Sequence, residues 1–472
     1  MTAAYLPELA RVVGPGTVIT DPEQLDVHAH DLWPVSAKEY LQGRHPHRPD
    51  AVVRVTDESQ IPPMLVWAAE RKVPVTPRGL GSGVTGAAVP VHGGIVLDLS
   101  ALAGIVDLDE TDLTVTVRAG TRGDTLEDAL AERGYTLGHS PQSLPLSSPG
   151  GWVATRAIGQ FSSRYGGIED LVVSLTVVLP TGETVRLPRV PRAAVGPDLK
   201  HLFLGAEGTL GIVTEVTLRI FPLPEHRTVQ ALRFPDVASG IEAMRHITRA
   251  GLRPFLVRLY DEDESRIAMN DGSFDGCALF LGSEGVRAVA EAEQVTALDC
   301  CTRFGGERLG PEPAQRWLDH RYDVSALESL LRHPGGLVET IEVAHFWSRI
   351  HRVYADLKDA LTPLAGVLGH FSHVYSHGTS LYLILVGEAA DDAAVQRRLT
   401  EIWTAAMEIC LEHDAAISHH HGVGIARLPY LRRALGEGAT TVLHRVKAAL
   451  DPAGVLNPGK LGTDRPHSEV QH

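Results

Sequence analysis

The sequence predicts a two-domain α+β protein, and three observations carry that prediction. A glycine-rich run, Pro77-Arg-Gly-Leu-Gly-Ser-Gly-Val-Thr-Gly86, lies between two apolar segments that read as strands. The composition changes at Phe221-Pro-Leu-Pro-Glu225, where two prolines mark a domain boundary. Beyond it, strand and helix patterns alternate in the manner of helices packed on a mainly antiparallel sheet. A chain of 472 residues is also too long for one compact core. The expected division is 1–222, 223–439, and a segment from 440–472 that returns to the first domain.

The elements follow in order. A short helix is expected over 6–13, a strand over 51–55, and a helix over 59–71 on the apolar positions Ile61, Met64, Leu65 and Ala68. Strands are expected over 73–76, 95–99, 113–118, 171–179 and 212–220, with a helix over 125–133 ended by Gly134. Past the boundary come strand 229–234, helix 237–250, strand 255–260, strand 277–281 and helix 285–298. A charged helical stretch over 313–332, strand 336–341, helix 344–361, a hairpin of 367–375 with 381–387, helix 391–413 and helix 440–450 complete the pattern. The last ten or so residues read as a solvated tail.

Gly81-Ser-Gly-Val-Thr-Gly86 spells the G-x-G-x-x-G of a dinucleotide fold, but its context denies that reading. That fingerprint opens a helix, whereas Pro90, Gly93 and Gly94 break any helix here and another strand follows at Ile95. A glycine loop between strands is a phosphate cradle of another kind, because glycine permits positive φ and close approach of backbone N–H groups. On its own the loop reads equally as a glycine-rich surface turn.

The formal charge of −15 argues against nucleic acid or an anionic membrane surface as the main partner. The four cysteines, Cys277, Cys300, Cys301 and Cys410, show no metal spacing and fit a reducing compartment. No apolar run is long enough for a membrane span, and the first residues lack signal-peptide character. The expectation is a soluble cytoplasmic protein with a small-molecule substrate, no integral membrane segment, and a homodimeric assembly.

Further short motifs accompany the loop: Leu146-Ser-Ser-Pro-Gly-Gly-Trp-Val-Ala-Thr-Arg156, Tyr165-Gly-Gly-Ile-Glu-Asp-Leu-Val-Val173, Leu204-Gly-Ala-Glu-Gly-Thr-Leu-Gly-Ile212 and Asn457-Pro-Gly-Lys460. In this order they resemble the vanillyl-alcohol-oxidase-type (PCMH-type) FAD-linked oxidases. The resemblance implies a two-lobed FAD-binding domain plus an α+β cap domain with an antiparallel sheet, and the flavin at their junction. It assigns the cofactor to Pro77, Arg78, Gly79, Leu80, Gly81, Ser82, Gly83, Val84 and Gly86 of the loop. It adds Ser147, Ser148, Gly150, Gly151, Thr155 and Arg156, then Glu207, Gly208, Gly211 and Ile212, and finally Asn457. The loop holds neither histidine nor cysteine, and all cysteines lie beyond the first domain, so FAD is expected to be noncovalent.

Within that family the chain is most similar to the alkylglycerone-phosphate synthases. The similarity lies in Gly150-Gly-Trp-Val-Ala-Thr-Arg-Ala157, Gly166-Gly-Ile-Glu-Asp-Leu-Val-Val173, Gly196-Pro-Asp198 and Ser418-His-His-His-Gly-Val-Gly424. It implies catalytic roles for Arg192, Arg258, Tyr382, His419, His420 and His421. A tyrosine shuttles protons when cationic neighbours lower its pKa, and arginine holds phosphate or carboxylate bidentately. In an extended segment His419 and His421 would face one side and His420 the other, with Tyr382 and His421 as the proton-handling pair. By residue type alone, Tyr382 also reads as a core tyrosine and Arg258 as a strand-end ion-pair partner. A related group, the D-2-hydroxyacid dehydrogenases, suggests His370, His373 and His377 as alternative zinc ligands, although no metal is the expectation. Three activities stay open: FAD-dependent oxidation, flavin-dependent exchange of acyl for alkyl, and metal-dependent hydroxyacid dehydrogenation.

Overall fold

The computed structural model describes residues 4–463, so the C-terminal tail expected from sequence lies outside the described residues. The first lobe is a four-stranded sheet of β1 (Val18–Ile19), β2 (Ala51–Arg54), β3 (Val75–Arg78) and β4 (Ile95–Asp98), in the order β1-β2-β4-β3. Strands β2, β4 and β3 run parallel, which requires crossovers. The helix Ile61–Arg71 makes one of them. Its Ile61, Met64, Leu65 and Ala68 are fully buried, each large apolar side chain contributing about 1.5–3 kcal/mol. The glycine run makes the other, from β3 back to β4, with no helix in it.

The second lobe is a five-stranded sheet of β5 (Ile105–Asp109), β6 (Thr114–Arg118), β8 (Val172–Val178), β9 (Thr184–Arg186) and β10 (Ile212–Arg219), ordered β5-β6-β10-β8-β9. A small pair joins β7 (Tyr135–Thr136) to β11 (Phe221–Pro222). Val178 and Ile212 reach into the apolar core of the first lobe, so the two lobes share packing.

Beyond Pro222 a seven-stranded sheet forms from β12 (His226–Phe234), β13 (Leu256–Tyr260), β14 (Cys277–Gly285), β15 (Glu307–Gly310), β16 (Gly336–Phe346), β17 (Gly366–Val374) and β18 (Gly378–Glu388). Its order is β15-β12-β14-β13-β17-β18-β16, with all pairs antiparallel. Helices Val237–Arg249, Arg287–Arg303, Trp347–Leu361 and Asp392–Glu412 share one core with it, against Leu259, Ile341, Val343, Phe371, Leu381 and Leu383. Successive side chains on a strand alternate faces, so Arg258, Tyr260, His370, Tyr382 and Glu342 point away from those helices.

The last helix, Leu428–Leu450, breaks at Gly436, where φ is 76°. From there the chain runs back to the first lobe, with Leu456 bridging Val75 and Lys447 Nζ donating to the Thr209 and Leu456 carbonyls at 2.8 and 2.7 Å. Among the described residues no helix is long and apolar enough to cross a membrane.

Several boundaries differ from expectation: β14 runs on through Gly285, so the helix expected over 285–298 spans Arg287–Arg303, and the stretch over 313–332 is two helices, Glu312–His320 and Ser325–Arg332. Residues 344–346 extend β16 rather than start a helix, because β16 pairs with β18 through Phe346 and the helix begins at Trp347. The final helix starts at Leu428 rather than 440, since the break at Gly436 and its polar exposed face hide its first half.

Candidate active site

The glycine run leaves the tip of β3 with its amides uncommitted: among the described residues, none from Gly79 to Ala88 donates to a protein acceptor. Side chains would fill the space they line. A Cβ on Gly79 would stand 2.9 Å from Ser148 Oγ, and one on Gly81 (φ +73°) would collide with Arg78 Nη2. Ser148 Oγ is buried and has no partner among the described residues, and neither has Asp31 Oδ2, which faces Gly83. Arg78 is buried beneath the loop, its Nη1 donating to the His30 carbonyl. Burial lowers its guanidinium pKa, with Asp31 and Asp98 opposing the shift; a bound anion would reinforce the charge. Free amides, a buried cation and an orphaned hydroxyl are the donor set that a diphosphate requires. These residues fit FAD.

Other residues assigned to the cofactor from sequence also bond within the protein. Ser147 Oγ accepts from Trp152 Nε1 at 2.7 Å, and Thr155 Oγ1 donates to the Gly151 carbonyl at 3.1 Å. Arg156 is exposed and pairs with Glu169 at 3.1 Å. The Glu207 carboxylate is used up by the amides of Val423 and Gly424. Asn457 Nδ2 donates to the carbonyls of Ala87 and Glu207 at 3.1 and 2.6 Å, tying the loop to the second lobe, while its Oδ1 is buried without a partner among the described residues.

Facing away from the cap helices, one row of side chains crosses four strands of the large sheet. The register places Tyr260 opposite His370, His370 opposite Tyr382, and Tyr382 opposite Glu342. The His370 and Tyr382 rings stack at 4.9 Å and 11°. Arg258 lies two residues before Tyr260, so it shares the face; its Nε donates to the Tyr260 hydroxyl at 2.8 Å and its Nη2 lies 2.7 Å from His370 Nε2. Arginine only donates, so His370 Nε2 accepts and Nδ1 carries the proton, which it gives to Glu264 at 2.9 Å. Burial and Arg258 push the His370 pKa down.

The histidine segment is not extended. Glu342 Oε1 accepts from the amides of His419, His420 and His421 at 3.2, 3.1 and 2.8 Å and from Ser418 Oγ at 2.9 Å. One carboxylate oxygen therefore winds the segment into a turn. Oε2 is held by Arg427, itself fully buried, which also donates to the Gly422 carbonyl at 2.6 Å. Burial alone would raise the Glu342 carboxyl, but Arg427 and His421 outweigh it and hold it well below the ordinary range.

This turn corrects the expected alternation. All three rings cluster, with centroids 5.1 Å apart for His419–His420 and 4.4 Å for His420–His421. His420 and His421 flank Tyr382 at 6.0 and 5.6 Å. His373 sits at a bulge in β17 with φ +52° and stacks on His419 at 5.4 Å. Burial keeps the His373, His419 and His420 rings neutral, with His419 pushed down to about 4 and the other two well below 6.5. Tyr382 is not lowered as expected: burial pushes it up to about 12, against the opposing influence of Thr340. Arg258, the cation that acts on it, pulls it down by less than burial pushes it up.

Arg192 is not brought to this cluster; it lies on an exposed irregular stretch between β9 and the helix Lys200–Phe203. His377 is exposed at the turn of the hairpin, and both His370 nitrogens are engaged. Among the described residues no group of three His, Cys, Asp or Glu side chains is arranged to hold a metal. Sequence reasoning missed Glu342, Arg427, Glu264, Tyr260 and Asp31. The period-2 alternation of β16 carried the signal for Glu342, had the strand been continued past Ile341.

Comparison with known proteins agrees with this geometry. Residues 223–461 match the family described as FAD linked oxidases, C-terminal domain, and residues 49–188 match an FAD binding domain. An uncharacterized FAD-linked oxidoreductase, YgcU, of Escherichia coli O157:H7 is 31% identical over 97% of this chain and 98% of its own. The alkyldihydroxyacetonephosphate synthase of Trypanosoma brucei brucei is 28% identical over 91% of this chain and 75% of its own. A solved alkyldihydroxyacetonephosphate synthase superposes with a TM-score of 0.81 at 25% identity, covering 96% of this chain and 85% of that one. With an FAD-fitting cradle in one domain and a polar row facing away from the helices of the other, the chain belongs to the FAD-linked oxidases and is an FAD-dependent enzyme.

Proposed function

We propose that this enzyme oxidises a small hydroxyl-bearing substrate that also carries an anionic group, bound against the row Arg258–His370–Tyr382. Bound FAD supplies a two-electron acceptor. The chain's own residues orient the substrate and move its proton. Arg258 binds the anion: Nε and Nη2 are committed to Tyr260 and His370, which fixes the plane of the guanidinium, while Nη1 makes no hydrogen bond to protein among the described residues. Tyr382, neutral at physiological pH, donates a hydrogen bond to the substrate oxygen and orients it. The neutral His420 ring, 6.0 Å from the Tyr382 ring, accepts the hydroxyl proton at Nε2. The observation that carries this reading is the meeting of an oriented arginine, a protonated phenol and neutral imidazoles on one side of the sheet.

A second reading, exchange of an acyl for an alkyl group, is favoured by the likeness to alkyldihydroxyacetonephosphate synthases over most of the chain. Tyr382→Phe separates a working residue from a packing one. We expect FAD content and melting temperature to be unchanged and turnover to fall by about 100-fold or more. Normal turnover with reduced stability would make Tyr382 a core residue and refute the assignment.

A further inference from the structure

We propose that His420, His419 and Tyr375 form a proton relay leading from the reaction site to solvent; this rests on the function proposed above. The three are linked by two hydrogen bonds: His420 Nδ1 to His419 Nδ1 at 2.9 Å, and His419 Nε2 to the Tyr375 hydroxyl at 2.7 Å. The inner end is open. His420 Nε2 has no protein partner among the described residues, and the ring lies beside Tyr382. The outer end is half-buried Tyr375, next to exposed Ser376 and His377. The groups that act on its hydroxyl from neighbouring elements are Glu169, Asp170 and Arg156. His373, held at its bulge, stacks on His419 and fixes its plane.

Two imidazole nitrogens facing each other share one hydrogen, so the chain has two complete arrangements. In the first, His420 donates to His419, His419 donates to the Tyr375 oxygen, and the Tyr375 proton points outward. The substrate O–H bond then breaks, its electron pair staying on oxygen, and the proton joins His420 Nε2. The Nδ1 proton of His420 passes to His419 Nδ1, the Nε2 proton of His419 passes to the Tyr375 oxygen, and the original phenolic proton leaves to water. One proton enters, one leaves, and each residue ends neutral in the second arrangement. Run backward, the same chain delivers a proton. The turn wound by Glu342 supplies this geometry, because it brings His419 and His420 ring to ring where an extended segment would part them.

The relay is tested on the FAD-loaded enzyme carrying 15N-histidine, with water as the probe. Hydrogen–deuterium exchange of the proton shared by His419 and His420 is followed by NMR in wild type and in Tyr375→Phe. Removing the hydroxyl should slow that exchange by about 10-fold or more and hold His419 in a single tautomer. Exchange at the wild-type rate in a folded Tyr375→Phe protein would overturn the relay. If that variant does not fold, His419→Gln supplies the same test on the His420 ring: slowed ring-proton exchange supports the relay, and an unchanged rate overturns it. The experiment needs no substrate, so its failure is distinguishable from failure of the proposed function, which Tyr382→Phe reads separately.

Discussion

Replacing Glu342 by glutamine tests the organisation of the site most severely. Both Glu342 and Arg427 are fully buried, and Gln keeps an acceptor for the histidine amides while removing the charge that Arg427 faces. Leaving one member of a buried ion pair uncompensated costs about 3–5 kcal/mol. With a urea slope of about 3 kcal/mol/M, the unfolding midpoint should drop by about 1–2 M. The turn should also loosen, and a displacement of about 1 Å at His420 lowers turnover by about 100-fold. FAD content reads how far the loosening spreads, because Thr85 of the glycine run accepts from the amides of Ile425 and Ala426 just past the turn. Circular dichroism in urea, FAD content and turnover are the assays. The double variant Glu342→Gln with Arg427→Met removes the uncompensated cation and keeps an acceptor for the histidine amides, so it should regain stability but not activity. Acid sharpens the test: the folded carboxyl lies well below its ordinary 4.5, so its contribution is complete above that value and lost as pH falls through the folded one. A Glu342→Gln protein with the wild-type urea midpoint and turnover would show that the Glu342–Arg427 pair does not organise the site.

Gly81→Val should abolish FAD retention, because its Cβ would meet Arg78 and φ +73° excludes a β-branched residue; in wild type, acid precipitation should release the yellow colour, and colour left on the protein would contradict noncovalent binding. Arg258→Lys keeps the charge but loses the planar fork; flavin spectral titration should show weakened substrate binding, and unchanged affinity would count against the anion site. His373, His419 and His420 are held neutral with folded pKa values below 6.5, so their stabilising effect is present above about pH 6.5 and lost as pH falls toward 4. The urea midpoint should therefore be lower at about pH 5 than at about pH 7, and a midpoint that rises on acidification would contradict the neutral cluster.

Local patterns carried most of the fold. The helix over Ile61–Arg71 announces itself through its buried stripe, and β17 and β18 through apolar alternation. The glycine loop was legible because Pro90, Gly93 and Gly94 exclude a helix after it. The site was legible only where a motif names its residues, as with Tyr382 and the three histidines. The turn of Ser418–Gly422 depends on Glu342, 77 residues before His419 in sequence, and no local pattern encodes that partnership. The segment therefore read as extended, and His420 was placed opposite its true neighbours. The Tyr382 pKa went astray for the same reason: its environment is set by burial against β16 and β17, whereas sequence shows only nearby basic letters. Arg192 followed a motif into a region that packs on nothing at the site.

The proposed oxidation takes electrons from a hydroxyl-bearing substrate at the Arg258–His370–Tyr382 row. Anaerobic mixing of the FAD-loaded protein with a panel of hydroxy acids, hydroxy phosphates and acylated dihydroxyacetone phosphate tests it most directly, with the visible flavin band and acyl release followed together. A hydroxy compound should bleach the flavin, and Tyr382→Phe should slow the bleaching by about 100-fold. Acyl release without net flavin reduction, and no bleaching by any hydroxy compound, would contradict it and establish the transfer reading instead.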